Sequence, residues 1–296
     1  MTIASSNISL PKESKRIRKF RDGIIQAVPR FPNNKDSKEV LEQQSLGSLL
    51  IIYMNWRMRF VSPGVRSVTT RRSATSDTRW RALKPNIDAF LDKVRRGADL
   101  TPHLSLAAWQ DGYTPAGQGP GKSAGRWADK DFLLNVMGFH HFHLGIALEK
   151  KGFVTRTDKV LFAHVTRSTF DVIGLFDHSV FDDKDPAVMS AERTRLWDLH
   201  ERVLFEGVEP GSFVLANPIS MSGHPSQIVM LAQHYAKLIK RIDPQLDDHS
   251  YVETMLYGGR LAVPAKPKLR WAFKHLDLYI ADDASTTCFI MQRGPS

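Results

Sequence analysis

The chain has 296 residues, enough for one elaborated domain or two modest ones, and its 42% hydrophobic and 24% charged residues suit a globular protein rather than a disordered or fibrous one. Its single cysteine, Cys288, excludes an internal disulfide framework and a cysteine-rich zinc site, and the longest apolar run, Leu46 to Tyr53, is too short to cross a bilayer. A formal net charge of +10 makes nucleic acid the leading partner class, unless the surplus sits in a solvated tail.

Residues 1–37 are polar, basic and broken by Pro11, Pro29 and Pro32, and read as a mobile basic arm. The arm gives no secretory pattern, which with the lone thiol predicts a cytoplasmic protein. From Lys38 to Phe60 the apolar spacing predicts a helix with one buried stripe, and residues 62–78, rich in Ser, Thr and Arg, read as a linker. A second helix is predicted over Pro85 to Arg96, stopped by Gly97, followed by a Gly- and Pro-rich loop over 111–126. The period then changes to that of strands, Phe132 to Leu148, Lys159 to Thr166 and Phe170 to Phe181, an antiparallel meander. Helices are predicted again over Ser190 to Leu204 and Pro225 to Ile242, and a closing hairpin over Lys268 to Arg293. The expected fold is α+β: a meander sheet flanked by helices (residues 38–185) and a C-terminal helix and hairpin unit (residues 186–296).

Five of the eleven histidines, His140, His141, His143, His164 and His178, fall on the meander. Side chains alternate along a strand, so His141 and His143 share a face and His140 takes the other. One reading is ordinary sheet histidines; another is a divalent-metal site built from His141, His143, His178 and Asp177. A third takes imidazole as proton donor and acceptor near neutrality, with guanidinium groups to hold a phosphate.

The order of segments supports the third reading. Ile87 to Arg96 followed by Gly97-Ala-Asp-Leu-Thr-Pro102, then Asp158-Lys-Val-Leu-Phe-Ala163, then Val172 to Phe181 with its His178-Ser-Val-Phe181 ending, resembles the RelE/YafQ-type ribonuclease toxins of bacteria over residues 84–182. The resemblance implies RNA cleavage without metal or cofactor, by attack of a ribose 2′-hydroxyl on the adjacent phosphate, and a neutralising protein partner. It places His178 at the family's C-terminal histidine, Asp158 at its strand-start acid, Phe181 at its closing aromatic and His141 or His143 at its mid-sheet histidine. Ala107 stands where the family carries a further histidine. Arg156 and Arg167 flank the same strands as candidate phosphate ligands, and Arg126 beside Trp127 is a further candidate nucleic-acid contact.

Other motifs are weaker. Ala116 to Ser123 fits a relaxed phosphate loop but carries Pro120, which has no N–H to donate. Ser220 to Pro225 sets hydroxyls near His224 without a nucleophile elbow, and reads as a turn capping the next helix. Trp80, between Arg79 and Arg81, is a second candidate base-stacking residue. The sequence thus predicts RNA binding with metal-independent endonucleolytic cleavage. The alternatives are a divalent-metal-dependent enzyme on a small anionic substrate and a noncatalytic interaction protein.

Overall fold

The computed structural model describes residues 13–115, 129–182, 188–214, 218–259 and 261–295. Of the stretch expected to be a mobile arm, residues 1–12 lie outside the described residues, and the remainder instead forms α1 (Lys15–Ala27), capped by Ser14 Oγ, which accepts from the Ile17 N–H at 3.1 Å. Ile17, Phe20, Ile24 and Ile25 are buried at helical spacing, and burial of such side chains is worth ~1.5–3 kcal/mol each, enough to anchor the segment. Its many charges masked that apolar stripe. The helix expected over 38–60 is two helices, α2 (Lys35–Glu42) and α3 (Leu46–Arg57). Ser45 starts the second by accepting from the Ser48 N–H at 3.1 Å.

The presumed linker is structured too. It holds β1 (Ser67–Thr70) and the short helices α4 (Arg72–Thr75) and α5 (Thr78–Ala82), before α6 (Lys84–Arg95). Arg66 fixes the entry to β1 by donating to the carbonyls of Thr166, Gly64 and Ser62 at 2.7–2.9 Å. After α6 come a one-turn α7 (Leu106–Gln110) and then α8 (Phe132–Met137), where a strand was expected. Asp131 caps α8 through the Leu134 N–H at 3.0 Å, and Gly138, at φ 72°, ends it in the left-handed region that glycine adopts without strain. Only Phe139–His143 remains as β2, followed by β3 (Lys159–Val165) and β4 (Thr169–Asp177). A 3₁₀ turn, His178–Phe181, closes β4.

Among the described residues the first sheet has the order β1-β4-β3-β2. The β2-β3-β4 meander is antiparallel as expected, but β1 joins its edge in parallel with β4. The second sheet contains β5 (Leu269–Lys274), β6 (Asp277–Asp282) and β7 (Thr287–Gln292), all antiparallel. The fold class is α+β. No described helix is long and apolar enough to cross a membrane.

Strand alternation gives the first sheet two apolar faces. Phe142, Leu161, Ala163, Phe170 and Leu175 point into a core shared with α1, α3, α6, α10 (Ser226–Ile242) and the second sheet. Phe139, Val160, Phe162 and Phe176 point the other way, against α8 and α9 (Ala191–Leu204). The boundary expected at residue 185 therefore separates no cores, since α9 covers one face of the first sheet and α10 packs in the core beneath the other. Arg167 ties the β3–β4 turn to the second sheet: it pairs with the Asp277 carboxylate and donates to the Gly294 carbonyl at 2.9 Å.

Candidate functional site

The second face of the first sheet leaves a cavity of about 570 Å³ beyond the end of its apolar cluster, between β2, α7, α8 and the 3₁₀ turn. His141 and His143 reach it from β2 because they share the face of Phe139. His178 and Phe181 reach it from the turn that closes β4, and Ala107 lines it from α7. Segments distant in sequence thus meet at one hollow, of a size that suits a small ligand or one part of a larger one.

The three imidazoles have different surroundings. His143 is 4% exposed, and its ring lies 5.6 Å from that of His178, centroid to centroid, inclined by 24°. Burial, with His141, Arg156 and His178 nearby, pushes it down to about 4, so it is neutral near pH 7. His178 is exposed, and its Nδ1 lies 3.1 Å from the Asp158 carbonyl. That contact makes Nδ1 the donor and leaves Nε2 with a free lone pair. His141 rests on Phe181 and Phe162, with ring centroids at 4.9 and 5.6 Å, and its Nδ1 is 3.6 Å from the Asp131 carboxylate that caps α8.

Positive charge surrounds the hollow. Gly145 lets the chain after β2 turn tightly, since a Cβ there would fall 2.0 Å from the Thr155 carbonyl oxygen. The returning limb carries Arg156, which is exposed and makes no hydrogen bond or ion pair among the described residues. Arg193 reaches the cavity from α9 and donates to the Asp182 carbonyl at 3.0 Å, while Lys130 holds the Asp129 carboxylate at 2.5 Å. Arg59 is buried beneath and donates to the carbonyls of Asp111 and Asp129. Burial, reinforced by Asp129 and opposed by Arg59, raises the Asp111 carboxyl above its ordinary value.

Of the predicted site residues, His141, His143, His178, Phe181 and Arg156 meet in this cavity. Asp158 and Arg167 do not. The Asp158 carboxylate is 88% exposed and pairs with Lys159, so Asp158 serves the site through its carbonyl. Arg167 is committed to Asp277 at the far end of the hairpin. Arg126, Trp127 and the phosphate-loop match at 116–123 lie outside the described residues.

The five meander histidines do not all converge. His140 turns into the other face, with Nε2 2.9 Å from the Met58 carbonyl, and His164 lies at the opposite end of β3, paired with Phe139. The four-ligand metal set does not assemble either. Asp177 accepts from the Ser179 N–H and hydroxyl at 3.0 and 2.5 Å, and among the described residues no group of three His, Cys, Asp or Glu is placed to hold a metal ion. Trp80 is partly buried against the main core rather than displayed for stacking. The Ser220–Pro225 turn closes on itself, Ser220 Oγ donating to the His224 carbonyl at 3.0 Å, and α10 begins without a side-chain cap.

Sequence reasoning missed Asp131, Lys130, Asp111, Arg59 and Arg193. The cap spacing of Asp131 to Leu134 was a readable signal of α8; the others reach the cavity through packing alone. In comparisons with family models, curated proteins and solved structures, the chain matches none of them.

Proposed function

We propose that this protein binds RNA and cleaves it without a metal ion, by attack of a ribose 2′-hydroxyl on the adjacent phosphate. The observation that carries the reading is the meeting of three differently placed imidazoles, in one cavity, with an arginine that has no ion pair among the described residues. His178 is the proton acceptor: its Nδ1 is occupied by the Asp158 carbonyl, which turns the Nε2 lone pair toward incoming hydroxyls. His141 is the proton donor to the departing 5′-oxygen, and the Asp131 carboxylate beside its Nδ1 balances the charge of the ring when it carries a proton.

His143, buried and neutral, stands beside His178 as a polar wall that neither gives nor takes a proton near pH 7. Arg156 neutralises charge on the phosphorane, a task suited to a guanidinium that is always protonated and pairs with two oxygens at once. Phe181, backed by the buried Phe162, gives the cavity an aromatic side on which a base can rest.

The test is cleavage of single-stranded RNA in excess chelator, with the products analysed for 2′,3′-cyclic phosphate ends. His178→Ala and Arg156→Ala should each lower the rate by about 100-fold or more while the melting temperature holds. Cleavage that vanishes in chelator, or that survives loss of His178, would sink the reading.

A further inference from the structure

A second concavity, of about 880 Å³, lies far in sequence from the histidine cavity, between α1 and the outer edge of β5. Ile17, Phe20 and Ile24 pack one side of α1 inward, and the neighbouring side opens onto the groove through Lys15, Lys19 and Gly23. A Cβ at Gly23 would meet nothing within 4 Å, so the helix surface there is low and open. Across the groove stand Lys268, immediately before β5, and Arg270 on it. The floor is aromatic: Phe273 stacks on Tyr53 at 4.9 Å and inclines to Phe20 at 5.5 Å.

The charges of this groove do not cancel. Arg16 is consumed by Asp243 and Asp247 at 3.0 and 2.7 Å, and Arg270 by Asp283 at 3.0 Å, so both carboxylates on the rim already have partners. Lys15, Lys19 and Lys268 remain, all exposed and without an ion pair among the described residues. Lys15 and Lys19 stand one helical turn apart, ~6 Å between their Cβ atoms, on the same side of the helix. Unpaired ammonium groups along both banks and an apolar aromatic floor match a strand that carries phosphates on its outside and flat bases within. An acidic peptide would satisfy the lysines but make no use of the floor.

The geometry points to this groove as a sequence-tolerant binding track for single-stranded RNA, separate from the cavity where cleavage is proposed. It rests on the RNA reading for its ligand, but on different residues, so the two fail separately. Lysines grip the phosphates, and Phe273 and Tyr53 supply the surface on which bases settle. The track would hold a long substrate whose scissile bond reaches the histidines, and a dinucleotide would be too short to feel it.

The test uses the full chain, a fluorescent oligouridine and anisotropy titrations at several salt concentrations. K15E/K19E/K268E should weaken binding by more than about tenfold and lower the log–log salt slope by about 2, the share of three phosphate contacts on a single strand. Cleavage of a dinucleotide should be unchanged in the same variant. If its melting temperature falls, K15Q/K19Q/K268Q replaces it, with the same loss in slope expected.

Affinity within about twofold of the unaltered protein overturns the track, whatever happens at His178, and so does an unaltered protein that does not bind the oligomer. An RNA duplex bound equally well, with equal sensitivity to the three lysines, overturns the single-strand assignment. Displacement by oligoglutamate at matched charge overturns it in favour of an acidic peptide. Binding with no cleavage anywhere leaves the track standing and removes only the catalytic proposal.

Discussion

Acid should weaken this protein's fold above the range in which carboxylates titrate. His140, His143, His224 and His275 are each pushed down to about 4, burial being the largest cause in every case and nearby cationic or imidazole groups adding to it. In the unfolded chain the same groups titrate near ~6.5. Between these values the unfolded state binds more protons, so the stability that the neutral rings contribute is complete above ~6.5 and is lost as the pH falls toward 4. That gap corresponds to roughly 3 kcal/mol per group once the pH is below both values, and to roughly 2 kcal/mol per group at about pH 5. Four groups together approach ~8 kcal/mol, against a total stability of ~5–15 kcal/mol for a typical fold.

Urea denaturation followed by tryptophan fluorescence at pH 8, 7, 6 and 5 measures this directly. The midpoint should hold from 8 to 7 and fall steeply from 6 to 5. His140→Gln should remove about a quarter of that fall, because the ring contacts the Met58 carbonyl through Nε2 and leaves its buried Nδ1 without a partner. A midpoint that stays constant from pH 7 to 5 would refute the burial argument for all four histidines.

Phe20→Ala should destabilise the whole protein by ~3–5 kcal/mol in the same denaturation assay, because the ring sits in the main core; a change near zero would restore the mobile-arm reading. Asp158→Asn should leave RNA cleavage within about twofold, since the site uses the backbone carbonyl and the carboxylate faces solvent. A large loss in that variant would return catalytic weight to the side chain. Arg167→Ala should cost ~1 kcal/mol in thermal or urea melts, as a partly exposed bidentate pair between two sheets does, while cleavage persists.

Much of the local architecture was legible in the residues. The α6 and α10 stripes, the turn between β3 and β4 and the turn from β6 into β7 follow from periodicity and turn chemistry, which act over a few residues. The further turn at His275, which makes the expected closing hairpin three strands, was not legible. The alternation that put His141 and His143 on one face was also readable. Misreadings arose where a local signal was diluted: the charges of α1 hid its apolar stripe, and the run of apolar residues from Phe132 concealed a one-and-a-half-turn helix that Asp131 opens and Gly138 closes.

What the residues determined by themselves was the α+β character, the basic balance and the existence of a histidine-bearing meander. Which histidines share a cavity was decided by tertiary structure alone. Strand pairing brings His178 beside His143, α9 delivers Arg193, and the β2–β3 excursion returns Arg156, while Arg167, equally basic and equally close in sequence, is drawn off to Asp277. Propensity acts through neighbours along the chain, whereas a cavity is the space left when remote surfaces pack, and no short stretch of sequence encodes it.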